Sequence, residues 1–241
     1  MSTTTVSEAT SPADLAPDLA STSLAMARRF QAGATMWCVS PSWPHHARHV
    51  AVEFVHPVIV GKRALPALIA PGREPVAHLR ASVEPGDLVV AIAPADDPEV
   101  GDLMRRAHAW GVETVWIGAG PRPPAGAANH VLWLGEDDRA PHDGRFILLY
   151  HLLWELTHVC FEHRGNLQEP PPVCEGEVCI TCSDQGELAE VVSHLDGEAR
   201  VRTATGLRTV DVTLVDDVAT DDLVLVHAGT AIARADGQES R

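Results

Sequence analysis

Several features that would assign a protein to a particular class are missing from this 241-residue sequence. It has no stretch of about 18 uninterrupted apolar residues, so no membrane span is predicted. Its first residues have no basic start and no apolar segment and do not resemble a secretory signal, which leaves the cytoplasm as the expected location. Residues 1–17 are rich in Ser, Thr and Pro, and we expect them to form a disordered lead.

Basic side chains are also scarce. The chain has 18 Lys and Arg against 33 Asp and Glu, which gives a net charge of −15 at pH 7. Binding to nucleic acid depends on Lys and Arg that displace the counterions of phosphates, so this composition argues against a nucleic-acid partner. Residues 174–241 hold 14 acidic and five basic side chains, and most of the excess of negative over positive charge therefore lies in the last third of the chain.

Cysteine is sparse, but three of the five residues cluster; they are Cys38, Cys160, Cys174, Cys179 and Cys182. An odd number without a secretory signal argues against a disulfide framework. The Cys179-Ile-Thr-Cys182 motif has three interpretations: half of a zinc site that also uses Cys174, a redox pair, or a coincidence in a linker. A redox pair usually lies at a helix start beside a βαβ unit, which this segment lacks, so zinc binding is the chemical alternative that remains.

Residues 18–166 alternate between short apolar runs and segments of helical length. The apolar runs are Thr35–Val39, Asp87–Ala93, Glu113–Ile117 and His130–Leu134. The helical segments are 18–32, 44–56, 97–110 and 144–163. Continuous apolar runs are typical of strands buried on both faces of a parallel sheet. The alternation therefore predicts a three-layer α/β domain.

A proline-rich linker is predicted at residues 167–177, because three consecutive prolines favour an extended spacer. Composition then changes, since residues 174–241 contain no Phe, Trp or Tyr. Val210, Val212 and Leu214 alternate with polar residues, and Asp196-Gly197 is a strong hairpin signal. Short strands joined by tight turns predict a small all-β barrel over residues 178–236, followed by a tail at 237–241.

The end of the chain resembles the HypC/HupF family of hydrogenase assembly chaperones. Four segments carry the resemblance in order: Val178–Thr181, Leu188–Val192, Val210–Val215 and Asp222–Ile232. The resemblance implies an OB-like β-barrel that carries an Fe(CN)2CO unit as transient cargo. It also implies two partners: a HypD-like maturation protein and the precursor of the [NiFe]-hydrogenase large subunit.

The same resemblance implies which residues hold the iron unit. Cys179 matches the essential cysteine of the family, His227 matches the histidine of its closing strand, and Cys182 is a further candidate ligand. A thiolate is a soft donor suited to low-spin iron, and an imidazole can bind the metal or hydrogen-bond its ligands. Without the resemblance, His227 would be interpreted as a structural histidine. The family's cysteine is nearly N-terminal, whereas Cys179 follows a whole domain.

Residues 18–166 resemble the sugar isomerase (SIS) domain, in particular its phosphoheptose isomerase branch. The segments that carry this likeness are Trp37–Ile69, Asp87–Ile92, Ala109–Val112 and His151–Leu156. His49 and Glu53 lie four residues apart on a predicted helix and share one face. The resemblance implies that they and His151 descend from a metal-binding or catalytic site, now vestigial. An ordinary helix-surface pair is the alternative for His49 and Glu53.

The loops that hold phosphate in SIS isomerases are altered in this sequence. In the first loop Trp43 stands where the key serine is expected, and Pro41 and Pro44 remove backbone donors. The second loop, Pro94–Pro98, contains two aspartates that would repel a phosphate. We therefore expect no enzyme activity, and a domain that serves as a scaffold or forms homo-oligomers. The alternative is a sugar-phosphate isomerase or binding protein with an accessory barrel.

Overall fold

A computed structural model describes residues 13–135, 144–168 and 186–235. The described residues form two compact units. The first contains residues 13–82, 86–105, 113–135 and 144–168. The second contains the short segments 83–85 and 106–112 together with residues 186–235.

The first unit is built on a parallel sheet. Its strands are β1 (Met36–Val39), β2 (Ala67–Ile69), β3 (Leu88–Ile92), β4 (Glu113–Gly118) and β5 (His130–Trp133). They pair in the order β2-β1-β3-β4-β5, and every pairing is parallel. The helices are α1 (Ala16–Gln31), α2 (Pro44–Val55), α3 (Pro75–Ser82), α4 (Pro98–Ala109) and α5 (Gly144–Glu162), and a 3-10 turn follows at Arg164–Leu167.

Helices cover both faces of this sheet. Strand β3 is buried along its whole length, and Leu88, Val90 and Ile92 point into a core that also contains apolar residues of α1, α2 and α5. The opposite face of β1 presents Trp37, whose ring contacts His78 of α3 at a centroid distance of 5.8 Å. The three-layer α/β architecture with a parallel sheet is therefore confirmed, because both faces of the central strands bury apolar residues.

Two elements of the first unit were not predicted from the sequence. Strand β2 lies at the sheet edge, where Leu68 and Ile69 are half-exposed, and its three apolar residues are too few to distinguish a strand from a loop. Helix α3 has only eight residues and begins at Pro75. The four helices and four strands that were predicted are confirmed to within one or two residues at their ends. Among the described residues no helix is long and apolar enough to span a membrane.

The second unit contains a closed barrel of five strands. They are β6 (Glu187–Leu195), β7 (Glu198–Thr203), β8 (Gly206–Asp211), β9 (Leu223–His227) and β10 (Thr230–Arg234). The first three form an antiparallel meander, β8 pairs in parallel with β10, β10 pairs with β9, and β9 returns to β6. This connectivity is that of an OB-like barrel, as the sequence predicted.

Valine and alanine fill the barrel. Its buried cluster consists of Ala189, Val191, Ala199, Val201, Val210, Val212, Val218, Val224, Val226 and Ala231. The first hairpin turns at Asp196 and Gly197, whose φ angles of 48° and 83° are the left-handed values that a tight two-residue turn requires. The Asp-Gly dipeptide therefore sets the register of β6 against β7.

A buried carboxylate links the barrel to the short segment 106–112 of the same unit. Glu190 of β6 is 1% exposed, and its Oε1 accepts a hydrogen bond from Arg106 Nη1 at 2.8 Å. Its Oε2 accepts one from Trp110 Nε1 at 2.9 Å. Gly111 has a φ of +72°, and a Cβ there would lie 2.8 Å from the carbonyl oxygen of Ala204. The close approach therefore requires glycine at this position.

Candidate functional sites

Two helices of the first unit bring three polar residues together. Helix α2 presents His49 and Glu53 one turn apart, and helix α5 presents His151 beside them. His151 is separated from His49 by 102 positions in sequence, so only the packing of α2 against α5 creates the cluster. The three residues that the sequence singled out in this unit therefore meet at one place.

The contacts within this cluster are short. His49 Nε2 lies 3.2 Å from Glu53 Oε1, and His151 Nε2 lies 3.5 Å from the same oxygen. The two Nε2 atoms are 3.3 Å apart. The histidine side chains are 36% and 43% exposed and that of Glu53 is 20% exposed, so solvent reaches the cluster. Two imidazoles and a carboxylate with ligand atoms within 4.8 Å of one another form a donor set that suits a divalent transition metal.

A buried tyrosine contacts the cluster through the second ring nitrogen of His49. The hydroxyl of Tyr150 lies 2.8 Å from His49 Nδ1 and 3.5 Å from Nδ1 of the buried His46. Burial, and then the charge of Glu53, raise the pKa of Tyr150 far above its usual value, so the phenol keeps its proton. The tyrosine is only 1% exposed and packs against both imidazole rings.

The loops at the carboxyl ends of β1 and β3 are tied to each other. Asp97 is 7% exposed, and its Oδ1 accepts hydrogen bonds from the backbone N–H groups of Glu99 and Val100 at the start of α4. Its Oδ2 accepts a 2.7 Å hydrogen bond from the Ser42 hydroxyl of the first loop. In open α/β sheets this edge, where the strand order reverses between β1 and β3, is where ligands bind. Here an internal carboxylate occupies the helix N-terminus that would otherwise attract an anion.

Trp43 adds to this change in the first loop. Its ring packs against Phe146 at 5.4 Å between centroids and against His46 at 6.3 Å. An indole anchored in an aromatic cluster stands where the sequence comparison expected a phosphate-binding serine. The loop therefore presents an apolar ring where the isomerases are expected to present a hydroxyl.

In the barrel, His227 lies at the end of β9, where Thr230 pairs with it across the closing hairpin. It is partly exposed. Glu187, the first residue of β6, pairs with Val226, the neighbour of His227. The chain therefore enters β6 at the same end of the barrel as His227. Glu187 and Arg208 form an ion pair at this entry.

The cysteine motif that precedes β6 lies outside the described residues. Cys174, Cys179 and Cys182 all belong to the range 169–185, as do most of the proline-rich linker and the segment 178–181. The described barrel closes without that segment. Within the described residues Cys38 is buried and Cys160 is half-buried, and both are free thiols. Burial raises the pKa of each of these two thiols, which makes them poor nucleophiles.

A comparison with protein-family models supports the interpretation of the C-terminal part. Residues 188–241 match the model of the HupF/HypC family. The barrel is of the HupF/HypC type. The match contains all five strands of the HupF/HypC-type barrel except the first residue of β6, and it includes His227. No curated protein matches the chain.

Solved structures resemble the first unit. A phosphoheptose isomerase from Francisella tularensis is 16% identical and matches over 60% of this chain and 86% of its own length, with a TM-score of 0.51. The phosphoheptose isomerase GmhA from Neisseria gonorrhoeae is 14% identical over 61% of this chain and 88% of its own, with a TM-score of 0.49. At 16% identity the Francisella structure shows the fold alone, and it confirms the predicted SIS-like fold of the first unit.

Sequence reasoning missed Tyr150, His46 and Ser42 around these sites, and it noted Asp97 only as a residue that would repel a phosphate. Tyr150 and His46 support His49, and Ser42 and Asp97 close the loop edge. Part of this was visible in sequence, because His46 precedes His49 by three positions on α2 and Tyr150 adjoins His151. The pairing of Ser42 with Asp97 had no local signal, since 55 positions separate the two residues.

Proposed function

We propose that the HupF/HypC-type barrel, with the cysteine motif that precedes it, is an assembly chaperone for [NiFe]-hydrogenase. In this proposal it carries the Fe(CN)2CO unit as cargo and delivers it to the large-subunit precursor together with a HypD-like partner. The match of residues 188–241 to the HupF/HypC family is the observation that carries the proposal.

The entry of the chain into the barrel supports this role. Strand β6 begins beside the end of β9, which carries His227, and the cysteine motif directly precedes β6 in sequence. We propose that the Cys179 thiolate is the iron ligand, because thiolates are strong soft donors. His227 would hold or hydrogen-bond the ligand set from the barrel, and Cys182 is a second candidate thiolate.

For the first unit we propose a scaffold or dimerisation role in place of sugar-phosphate turnover. Asp97 fills the N-terminus of α4, so a phosphate dianion would meet a carboxylate there. Exposed apolar side chains follow α2, where Val58 is 83% exposed and Val60 fully exposed, and continue on the edge strand with Leu68 and Ile69. Such side chains are typical of a surface that packs against another molecule.

Infrared spectroscopy tests the cargo role. The full chain would be purified without oxygen from cells that contain the other maturation proteins. Bands of iron-bound CO and cyanide are expected in the wild type and in Cys160→Ala, a control that removes a free, half-buried cysteine outside the motif. Cys179→Ala should lose them completely. His227→Ala should weaken or shift them, because the imidazole is expected to touch the cargo.

Three outcomes would redirect the proposal. A stable complex with a HypD-like partner that shows no such bands in the wild type would contradict iron carriage. Bands that survive Cys179→Ala but vanish in Cys182→Ala would transfer the ligand role to the second cysteine. Equimolar zinc that disappears when Cys174, Cys179 and Cys182 are replaced would favour the zinc alternative.

A second candidate function comes from the cluster on α2 and α5. We propose that His49, Glu53 and His151 bind a divalent transition metal, since their geometry suits one. A metal held by three protein ligands with open positions supplies Lewis acidity. The side chains themselves can hold a small polar ligand and exchange protons with it.

Zinc binding to the full chain tests this second function. The three cysteines of the motif would be changed to serine, so that only the cluster remains as an expected zinc site. Competition with a coloured chelator should detect one zinc per chain, and Glu53→Gln should abolish that binding because the only anionic ligand is lost. Glu99→Gln, at the start of α4, should bind zinc like the parent. Zinc retained in Glu53→Gln would refute the proposed ligand set.

A further inference from the structure

The two ring nitrogens of His49 contact different partners on opposite sides of the ring. Nε2 faces Glu53 and His151, at 3.2 and 3.3 Å, whereas Nδ1 faces the hydroxyl of Tyr150 at 2.8 Å. A metal-binding histidine is held by the partner of its other nitrogen, which fixes both the tautomer and the orientation of the ring. Tyr150 therefore stands where a partner that orients His49 is required.

The position of Tyr150 makes it a rigid support. Its side chain is 1% exposed, and its ring meets those of His46 and His49 edge-on, with interplanar angles of 70° and 71°. Helix α5 holds Tyr150 directly before His151, so one helix supplies both a member of the cluster and the support of another. Tyr150 is also the only tyrosine of the chain.

A hydroxyl differs from the other side chains that could stand here, because it can donate one hydrogen bond and accept others. With Nδ1 of His49 unprotonated, the Tyr150 hydroxyl donates to it. With Nδ1 protonated, the hydroxyl accepts, and its own proton can turn toward Nδ1 of His46, which lies 3.5 Å away. Because the contact with His49 is the shorter of the two, the hydroxyl donates to Nδ1 in the metal-free protein and favours the tautomer protonated at Nε2, and it accepts from Nδ1 once a metal occupies Nε2.

We propose that Tyr150, with His46 as its second partner, is a positioning residue that keeps Nε2 of His49 directed at Glu53 and His151 in both tautomers. This inference rests on the second proposed function, the metal cluster, and is independent of the barrel and its cargo. It adds two residues of this chain, His46 and Tyr150, to those that determine how tightly the cluster binds a cation.

Tyr150→Phe tests the proposal, because it keeps the ring and removes only the hydroxyl. In the chain with the three motif cysteines changed to serine, zinc affinity should fall by about 10–100-fold, the usual effect of losing the partner of a metal-binding histidine. Leu148→Ala, on the exposed side of the same helix, is the matched control and should leave the affinity unchanged. His46→Phe should show a smaller loss, since its contact is longer.

A spectroscopic readout separates positioning from a general effect on folding. Nitrogen-15 spectra of the histidine rings, with His49 assigned through His49→Gln, should show only the tautomer of His49 protonated at Nε2 in the zinc-free parent chain. With zinc the tautomer protonated at Nδ1 should replace it. In Tyr150→Phe the two tautomers should mix in the zinc-free protein, because Nδ1 has lost its hydroxyl partner.

The outcomes are distinguishable. Unchanged zinc affinity and an unchanged His49 tautomer in Tyr150→Phe, with binding still lost in Glu53→Gln, would overturn the role of Tyr150 and leave the metal cluster standing. Absence of zinc binding in the parent chain would overturn the cluster as a metal site. In that case a mixed tautomer in Tyr150→Phe would still support the orienting role, and an unchanged one would refute it.

Discussion

The two units of this chain bury very different side chains. The core of the first unit is rich in large residues, including Phe54, Phe146, Tyr150 and Trp154, while the barrel core contains only valine and alanine in its buried cluster. Small domains bury a smaller share of their surface, so each remaining contact in the barrel matters more. We therefore expect the loss of one interaction to remove a larger share of the stability of the second unit than of the first.

The units also differ in how readily their sequences can be related to known proteins. The HupF/HypC-type barrel was recognised from a contiguous stretch of sequence, because its strands follow one another closely and its hairpins are local. The first unit matches a known structure at only 16% identity, and its polar cluster is assembled from helices far apart in sequence. Its fold is shared with isomerases, but its loop edge is closed by Ser42 and Asp97. The shared fold therefore does not by itself assign a shared site to this unit.

Among substitutions that test this difference between the units, we expect the largest loss of stability at Glu190, the buried carboxylate of the second unit. Glu190→Ala should lower the free energy of unfolding by about 3 kcal/mol, because it leaves the partly buried Arg106 and the Trp110 N–H without this partner. Urea unfolding followed by circular dichroism measures the loss. Glu190→Gln should cost less, since the amide oxygen can still accept a hydrogen bond.

Glu198→Ala is the matched control, because Glu198 lies on the neighbouring strand β7 and is exposed. It should change the free energy of unfolding by less than about 0.5 kcal/mol. Equal effects at Glu190 and Glu198 would show that the barrel does not depend on its buried ion pair.

A smaller, pH-dependent effect is expected in the first unit. A hydrogen bond from His130, and then the Arg29 guanidinium, lower the pKa of Glu113 from 4.5 to about 2. Since the folded pKa lies below the unfolded one, the carboxylate stabilises the fold above about pH 4.5 and loses this contribution as the pH falls toward 2. Arg29 is 41% exposed, so water weakens the pair and we expect roughly 1–2 kcal/mol.

Glu113→Gln measures this contribution. The free energy of unfolding of the wild type should exceed that of the variant near neutral pH, and the difference should shrink between about pH 5 and pH 2. Glu74→Gln, on an exposed turn before α3, should show no such pH dependence relative to the wild type. A difference that stayed constant down to pH 2 would contradict the lowered pKa of Glu113.

Local signals explain what could be predicted. The runs of β1, β3 and β4 were visible because strands buried on both faces are largely apolar, and β5 repeats this pattern at the sheet edge with a start that is only partly buried. The Asp196-Gly197 turn was visible because few residues adopt left-handed φ angles. The spacing of His49 and Glu53 was visible because helix geometry is regular. The placement of Cys179 and Cys182 beside His227 stays a prediction, since both cysteines lie outside the described residues.

The sequence alone determined the α/β and all-β halves, the change of composition between them and the likeness of the C-terminal part to HupF/HypC proteins. Each of these depends on residues that are close together in sequence, because hydrophobic periodicity and turn residues are local patterns. Only the tertiary structure showed that His151 lies within contact distance of His49 and Glu53 and that the Tyr150 hydroxyl contacts His49. It also showed that the Ser42 hydroxyl donates a hydrogen bond to Asp97. Those contacts bridge 55 to 102 positions in sequence, and packing of helices and strands brings such distant residues together without leaving a local pattern.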